Sequence, residues 1–183
     1  MIIETKHISS KSITWTLRSA KKSDADALAK LRRQIDCETE FLDRECGEGV
    51  LTATDFIQII ETDRLESGHL FLVAEHEDKL IGFTRCERKP LNRFNHQADF
   101  GICILKEYWG YGIGRHLISA VLTWADETNI EKVMLSVVEA NESAIKLYQS
   151  VGFKREGLLL KDRKHADGRY HNTVLMGRMR SSG

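Results

Sequence analysis

The amino-acid sequence predicts an α/β layer fold in a single domain. Three observations carry that reading. The chain has 183 residues, the span of one domain, and near this size roughly 70% of the unfolded chain's surface can be buried. Residues 133–138 form a nearly continuous apolar run of strand length, as expected of a strand covered on both faces. Amphipathic helical spacing lies before and after that run, so helices and strands alternate through the second half.

The elements follow in order. Residues 1–14 read as a polar lead-in, with the domain itself over 15–180. Residues 15–18 form a short strand. Ser23-Asp24-Ala25-Asp26 has capping-box spacing, and Leu28, Leu31 and Ile35 then recur at helical intervals, so a helix runs to about Asp36. A second helix covers 54–65, with Phe56, Ile57 and Ile60 inward. Strands at 69–75 and 79–88 flank a short charged turn and predict a hairpin. The loop containing Pro90 ends near His96, and 97–105 is the next strand. A glycine cluster opens a helix with Leu117, Ile118, Val121, Leu122 and Ala125 on one face. Asn141 caps a further helix, which Gly152 stops. Strands at 153–164 and 169–178 close the chain around Asp167-Gly168, a strong hairpin signal.

Composition excludes several classes. Lys and Arg number 27 against 27 Asp and Glu, a balance that argues against a nonspecific nucleic-acid binder. No apolar run reaches the eighteen or so residues of a membrane span, and the first residues lack a signal-like apolar core. The expected location is therefore the cytoplasm. Cys37, Cys46, Cys86 and Cys103 form no CxxC pair and have no clustered histidines, which predicts free thiols and no metal site.

The sharpest motif is Tyr108-Trp109-Gly110-Tyr111-Gly112-Ile113-Gly114-Arg115, between a strand and a helix. Glycines at alternate positions let the backbone approach a ligand closely. Amides in such a loop, running into a helix N-terminus, suit phosphate. Arg115 at the helix start opposes the helix dipole unless an anion sits there. The P-loop lysine is missing, and Arg115 stands where the dinucleotide fingerprint needs glycine.

Residues 100–117 resemble motif A of the GCN5-related N-acetyltransferase (GNAT) superfamily, Arg/Gln-x-x-Gly-x-Gly/Ala. Gly112 and Gly114 match its small positions, and Trp109 replaces the usual Arg or Gln that braces the loop. Asn141-Glu142-Ser143-Ala144-Ile145-Lys146-Leu147-Tyr148 through Gly152-Phe153 resembles the family's N-x-x-A-x-x-L-Y-x-x-x-G-F. The resemblance implies a single-domain GNAT-type fold: a mixed central sheet splayed between two parallel strands, with flanking helices. It implies acetyl-CoA as the acetyl-donor cosubstrate, lying between the strands 97–105 and 133–138. Amides of Ile102, Cys103 and Ile104 would pair with the pantetheine arm. Gly110, Tyr111, Gly112, Ile113, Gly114 and Arg115 would hold the pyrophosphate. Asn141 would contact the pantetheine side, and Ser143 and Lys146 the nucleotide end. Tyr148 matches the tyrosine that acts as general acid toward the departing thiolate. Cys103 itself reads as a small buried hydrophobe.

No general base is assigned. The family's strand carboxylate falls at the register of Ala98, and Asp99 is expected to point to the other face. Glu87, Glu75 and His96 are the remaining candidates. Residues 36–48 carry six acids and one base, Arg44, in a neutral chain. In the family this connection borders the acceptor site, where carboxylates would attract a small cationic amine such as a polyamine, or an amino acid-like one. The alternatives are a protein N-terminal or lysine acetyltransferase, or a non-catalytic acetyl-CoA-binding module. The expected partner is a small-molecule amine, with no nucleic acid and no membrane; the resemblance admits a homodimer.

Overall fold

A computed structural model describes residues 2–180. The elements are β1 (Lys6–Ser10), β2 (Ile13–Ser19), α1 (Ala25–Glu38), α2 (Ala53–Leu65), β3 (His69–His76), β4 (Lys79–Arg88), β5 (Gln97–Ile104), α3 (Ile113–Glu127), β6 (Lys132–Val138), α4 (Glu142–Ser150), β7 (Lys154–Lys164) and β8 (Tyr170–Met179). The strands form one sheet in the order β1-β2-β3-β4-β5-β6-β8-β7.

Two local readings change. The polar lead-in contains a strand, β1, paired with β2 from Lys6↔Leu17 to Ser10↔Ile13. It has a single apolar residue, Ile8, because an edge strand needs few inward side chains and draws its order from its neighbour's backbone. At the entry to α1, Asp24 rather than Ser23 stands at the cap position, and its side chain reaches back rather than into the helix. Its carboxylate accepts the Lys21 backbone N–H at 2.7 Å and two hydrogen bonds from Arg18, at 2.7 and 2.9 Å.

The helices cover both faces. On one face Phe56 of α2 packs against Phe71 of β3 and Phe83 of β4, with ring centroids 6.4 and 6.3 Å away. On the other, His116 of α3 meets Trp15 of β2 at 5.8 Å and Tyr148 of α4 meets Phe100 of β5 at 6.3 Å. Alternation along the strands sorts the core between these two layers. Leu70, Leu72 and Ile102 face α3 and α4, while Phe71, Phe83, Arg85, Glu87 and Cys103 face α1 and α2.

Function depends on where the sheet fails to pair. β5 pairs with β4 along its whole length, from Gly82↔Ile104 to Arg88↔Ala98. β6 pairs with β8 from Lys132↔Met179 to Val138↔Thr173. Between these two halves, parallel β5 and β6 share only three residue pairs, Gln97↔Lys132, Ala98↔Val133 and Asp99↔Met134. Beyond Asp99 the strands diverge.

Cys37 and Cys46 form a disulfide, which corrects the expectation of four free thiols; Cys86 and Cys103 are free and buried. The bonded pair lies nine positions apart in sequence, and only the fold of the intervening loop brings their Cα atoms to 4.3 Å. No helix among the described residues is long and apolar enough to cross a membrane.

Candidate active site

The gap between β5 and β6 opens into a cleft of about 1030 Å³. Its β5 edge carries unpaired backbone. The Leu105 N–H is bonded to Ile81 O on the β4 side, and successive amides in a strand point to opposite edges. The amides of Ile102 and Ile104 therefore face the gap, and that of Cys103 faces β4. Ile102, Cys103 and Ile104 all line the cleft.

The glycine loop sits at the end of this edge. Gly110 and Gly112 have φ of +80° and +84°, backbone open to glycine and strained for other residues. A Cβ on Gly112 would meet nothing within 4 Å, so this position faces open space at the N-terminus of α3. Gly114 is glycine for a different reason: a Cβ there would lie 3.3 Å from Leu147 Cδ2 and 3.5 Å from Ile104 Cδ1. Trp109, the departure from the motif, donates its indole N–H to Ile104 O at 2.8 Å. It thus braces the loop to β5, the task its sequence seemed to have lost.

Gly110, Gly112, Ile113, Gly114, Arg115, Asn141 and Ser143 line the cleft. Arg115 Nη2 donates to Ser150 Oγ at 3.0 Å, joining α3 to α4. Asn141 Oδ1 caps α4 through the Ala144 N–H at 3.2 Å. Tyr111 and Lys146 lie outside the lining: Tyr111 packs on Tyr108, and Lys146 pairs with Glu142 on the exposed side of α4.

Tyr148 lines the cleft and is only 8% exposed. Its ring is clasped by Phe100 and by Phe153, the latter 5.9 Å away. Burial, with the nearby Cys103, pushes its phenol pKa up, so the hydroxyl holds its proton at neutral pH. Burial likewise raises the Cys103 thiol, to about 11 despite Arg32, leaving it a neutral part of the wall.

The α1/α2 face of β4 and β5 floors the other end of the cleft with Phe83, Arg85, Glu87, Lys89, Asp99, Gly101 and Cys103. Asp99 lies, as expected, on the other face from Ala98, but it is this face that floors the cleft: Asp99 stands directly across from Glu87, and Ala98 is fully buried. Of the other base candidates, Glu75 is bound by Arg18, and neither it nor His96 lines the cleft. Asp63, His69 and Glu87 bring their ligand atoms within 4.8 Å of one another. The Arg85 guanidinium already supplies positive charge there, bonding Asp63 at 2.6 and 2.8 Å and Glu87 at 2.5 Å.

The loop after α1 walls this end with Thr39, Phe41, Leu42 and Asp43. Of its six acidic groups, Asp36 and Asp43 meet an arginine. Asp36 binds Arg32, Glu38 accepts the Lys106 N–H, Glu40 faces His165 at 3.4 Å and Asp43 pairs with Arg163 at 2.8 Å. The floor residues Lys89 and Arg85, and Arg32 on α1, escaped the sequence reading. The two-residue alternation of polar groups along 85, 87 and 89 was the available signal.

A sheet that parts beyond three residue pairs, beside an open glycine loop at a helix N-terminus, defines a domain built around an extended, phosphate-bearing ligand. Residues 33–153 match the Acetyltransferase (GNAT) family. Over 58% of this chain it is 33% identical to the spermidine N(1)-acetyltransferase of Vibrio cholerae serotype O1, a match spanning 60% of that protein. Over 60% of the chain it is 29% identical to the L-amino acid N-acetyltransferase AaaT of Escherichia coli K12, spanning 67% of that relative. The crystal structure of a GNAT-family acetyltransferase from Streptococcus pneumoniae superposes with a TM-score of 0.88 at 26% identity, covering 91% of this chain and 99% of that one. The chain belongs to the GNAT family and is an acyl-CoA-dependent N-acetyltransferase.

Proposed function

We propose that the protein transfers the acetyl group of acetyl-CoA to the primary amine of a small molecule. The observation that carries the reading is the parting of β5 from β6, which gives one cleft two chemically distinct ends. The Ile102 and Ile104 amides and the 110–115 loop receive the pantetheine arm and pyrophosphate at one end. The α1/α2 face receives the amine at the other.

Aminolysis needs a proton taken from the ammonium and one given to sulfur. Alkylammonium groups hold their proton to about pH 10, so an acceptor of protons must stand on the floor. Glu87 and Asp99, cross-strand neighbours, take that role, directly or through one water. The amine lone pair then forms the new C–N bond to the thioester carbonyl as the C–S bond breaks. Tyr148 gives its phenolic proton to the leaving thiolate. The nitrogen, positively charged after attack, gives up its second proton, which restores Tyr148 through water, and release of the carboxylate's proton to solvent closes the cycle.

A small acceptor fits because the loop after α1 closes over this end. The Cys37–Cys46 bond ties it to α1, and Arg163 of β7 holds Leu42 O at 3.1 Å and Asp43. Arg32 and Arg163 offset part of the acidic segment's charge, which weakens the case for a polyamine and favours an amino acid-like acceptor. The test is thiol release from acetyl-CoA against a panel of small amines and peptides. Turnover of small amines supports the reading, and turnover of peptides alone would replace it.

A further inference from the structure

Arg32 projects from α1 toward the floor of the cleft, its side chain 16% exposed. Asp36, buried one turn along, holds only its Nε, at 2.9 Å to each carboxylate oxygen. Among the described residues Nη1 reaches only the Cys103 thiol, at 3.7 Å, and no oxygen. Nη2 has no hydrogen-bond partner among the described residues.

The other cations of the cleft are committed to protein oxygens. Arg85 is bound by Asp63 and Glu87, and Arg163 by Thr173, Leu42 O and Asp43. Lys89 faces Asp99 at 3.4 Å, and Arg115 bonds Ser150 beside the glycine loop. Burial works against the Arg32 charge, but the Asp36 bond together with the electrostatic attraction of Cys103, Asp36 and Asp43 outweighs it, so the guanidinium keeps its charge. A mostly buried guanidinium with a free terminal fork is matched to a carboxylate, which takes two parallel N–H bonds.

Its position on the floor gives the acceptor a direction. Cys103, Gly101 and Asp99 succeed one another along the α1/α2 face of β5, about 7 Å per step. A Cβ on Gly101 would meet nothing within 4 Å, so the floor between Arg32 and the Glu87–Asp99 pair is open. The floor from Cys103 to Asp99 spans two such steps, so an extended amino acid, with a hydrogen bond at each end and one water at the carboxylates, turns its anionic end to Arg32 and its amine to the Glu87–Asp99 pair.

We propose that Arg32 selects the acceptor by binding a carboxylate, and that the substrate is therefore an amino acid rather than a polyamine or a simple amine. The inference rests on the acetyl-transfer reading above. It assigns Arg32 to specificity and Asp36 to holding Arg32 in position.

The test compares kcat/KM for α- and ω-amino acids with their amides and with diamines, in the wild-type protein, Arg32→Lys and Arg32→Gln. Asp36 would be left buried and unpaired in Arg32→Gln, so Arg32→Gln/Asp36→Asn is made as well, and the acetyl-CoA-induced rise in Tm reports folding of each. The wild type should favour an acid over its amide by about 10- to 100-fold, the range of a charge-assisted hydrogen-bonded contact. That ratio should collapse toward one in the Gln variants, mainly through KM, and stay intermediate in Arg32→Lys, which keeps charge but loses the fork. Amides or diamines serving the wild type as well as acids would overturn the inference while leaving acetyl transfer intact. An equal loss of kcat on every acceptor would also overturn it, placing Arg32 at the transferring carbonyl instead. Failure of every amine while acetyl-CoA still raises Tm would overturn the acetyl-transfer reading and this inference together.

Discussion

Replacing Tyr148 by Phe separates packing from chemistry at one atom. The ring contacts with Phe100 and Phe153, at 6.3 and 5.9 Å, survive the change. The deleted hydroxyl has no hydrogen-bond partner among the described residues, so no buried group is orphaned. Folding stability should move by no more than about 0.5 kcal/mol. The reaction should suffer far more. Burial keeps the phenol protonated, and loss of a positioned proton donor costs about 10²–10⁴-fold, or about 2.7–5.4 kcal/mol of barrier. Affinity for acetyl-CoA should be nearly unchanged, because the amides and glycine loop proposed to hold it are untouched. The assay is single-turnover thiol release with saturating amine, which isolates chemistry from product release, run beside calorimetry of CoA binding and thermal melting. A wild-type single-turnover rate in the variant would refute the argument and leave Tyr148 as a packing residue.

Gly112→Val should lower Tm through left-handed backbone strain of about 1–2 kcal/mol and abolish the acetyl-CoA-induced rise in Tm, since its side chain enters space open at the α3 N-terminus. Reduction of Cys37–Cys46, or Cys46→Ser, should cost about 2.5 kcal/mol, the chain-entropy value for so short a loop; melting with and without reductant measures it, and identical curves would count against a formed bond. At Asp24 burial raises the carboxyl pKa, but the Arg18 bonds and the Lys21 N–H outweigh it and leave the pKa below the ordinary carboxylate value. Its contribution is therefore complete above about pH 4 and lost as pH falls through the lower folded value. Urea unfolding should show the gap between wild type and Asp24→Asn constant near neutrality and narrowing in acid; a gap that widens in acid would reverse the sign of this assignment.

Much of this molecule is legible in local sequence because local rules govern it. The α3 face of Leu117, Ile118, Val121, Leu122 and Ala125, the Asp167-Gly168 turn and the Asn141 cap each follow from spacing or backbone preference within a few residues. So does the glycine loop, whose left-handed φ at Gly110 and Gly112 only glycine adopts freely. The strand β1 was not legible, since Lys6–Ser10 is polar and is ordered by pairing to β2.

The site divides along the same line. Sequence determined which residues meet the cofactor loop, because a contiguous motif carries them. Tertiary structure alone decided what faces the acceptor. Whether Asp99 points into the cleft depends on the pleat of β5 and on where β6 parts from it, and neither is a property of nearby residues. The acidic run at 36–48 keeps a net negative charge, but only the fold decides which of its carboxylates are engaged, with Arg163 on Asp43 and the Lys106 amide on Glu38. The free fork of Arg32 follows from Asp36 binding its Nε while α1 aims the rest at Cys103, 71 residues away in sequence. Side-chain type sets what a residue can bind, but only long-range packing decides which of its hydrogen-bonding groups the protein itself consumes and which are left for a substrate.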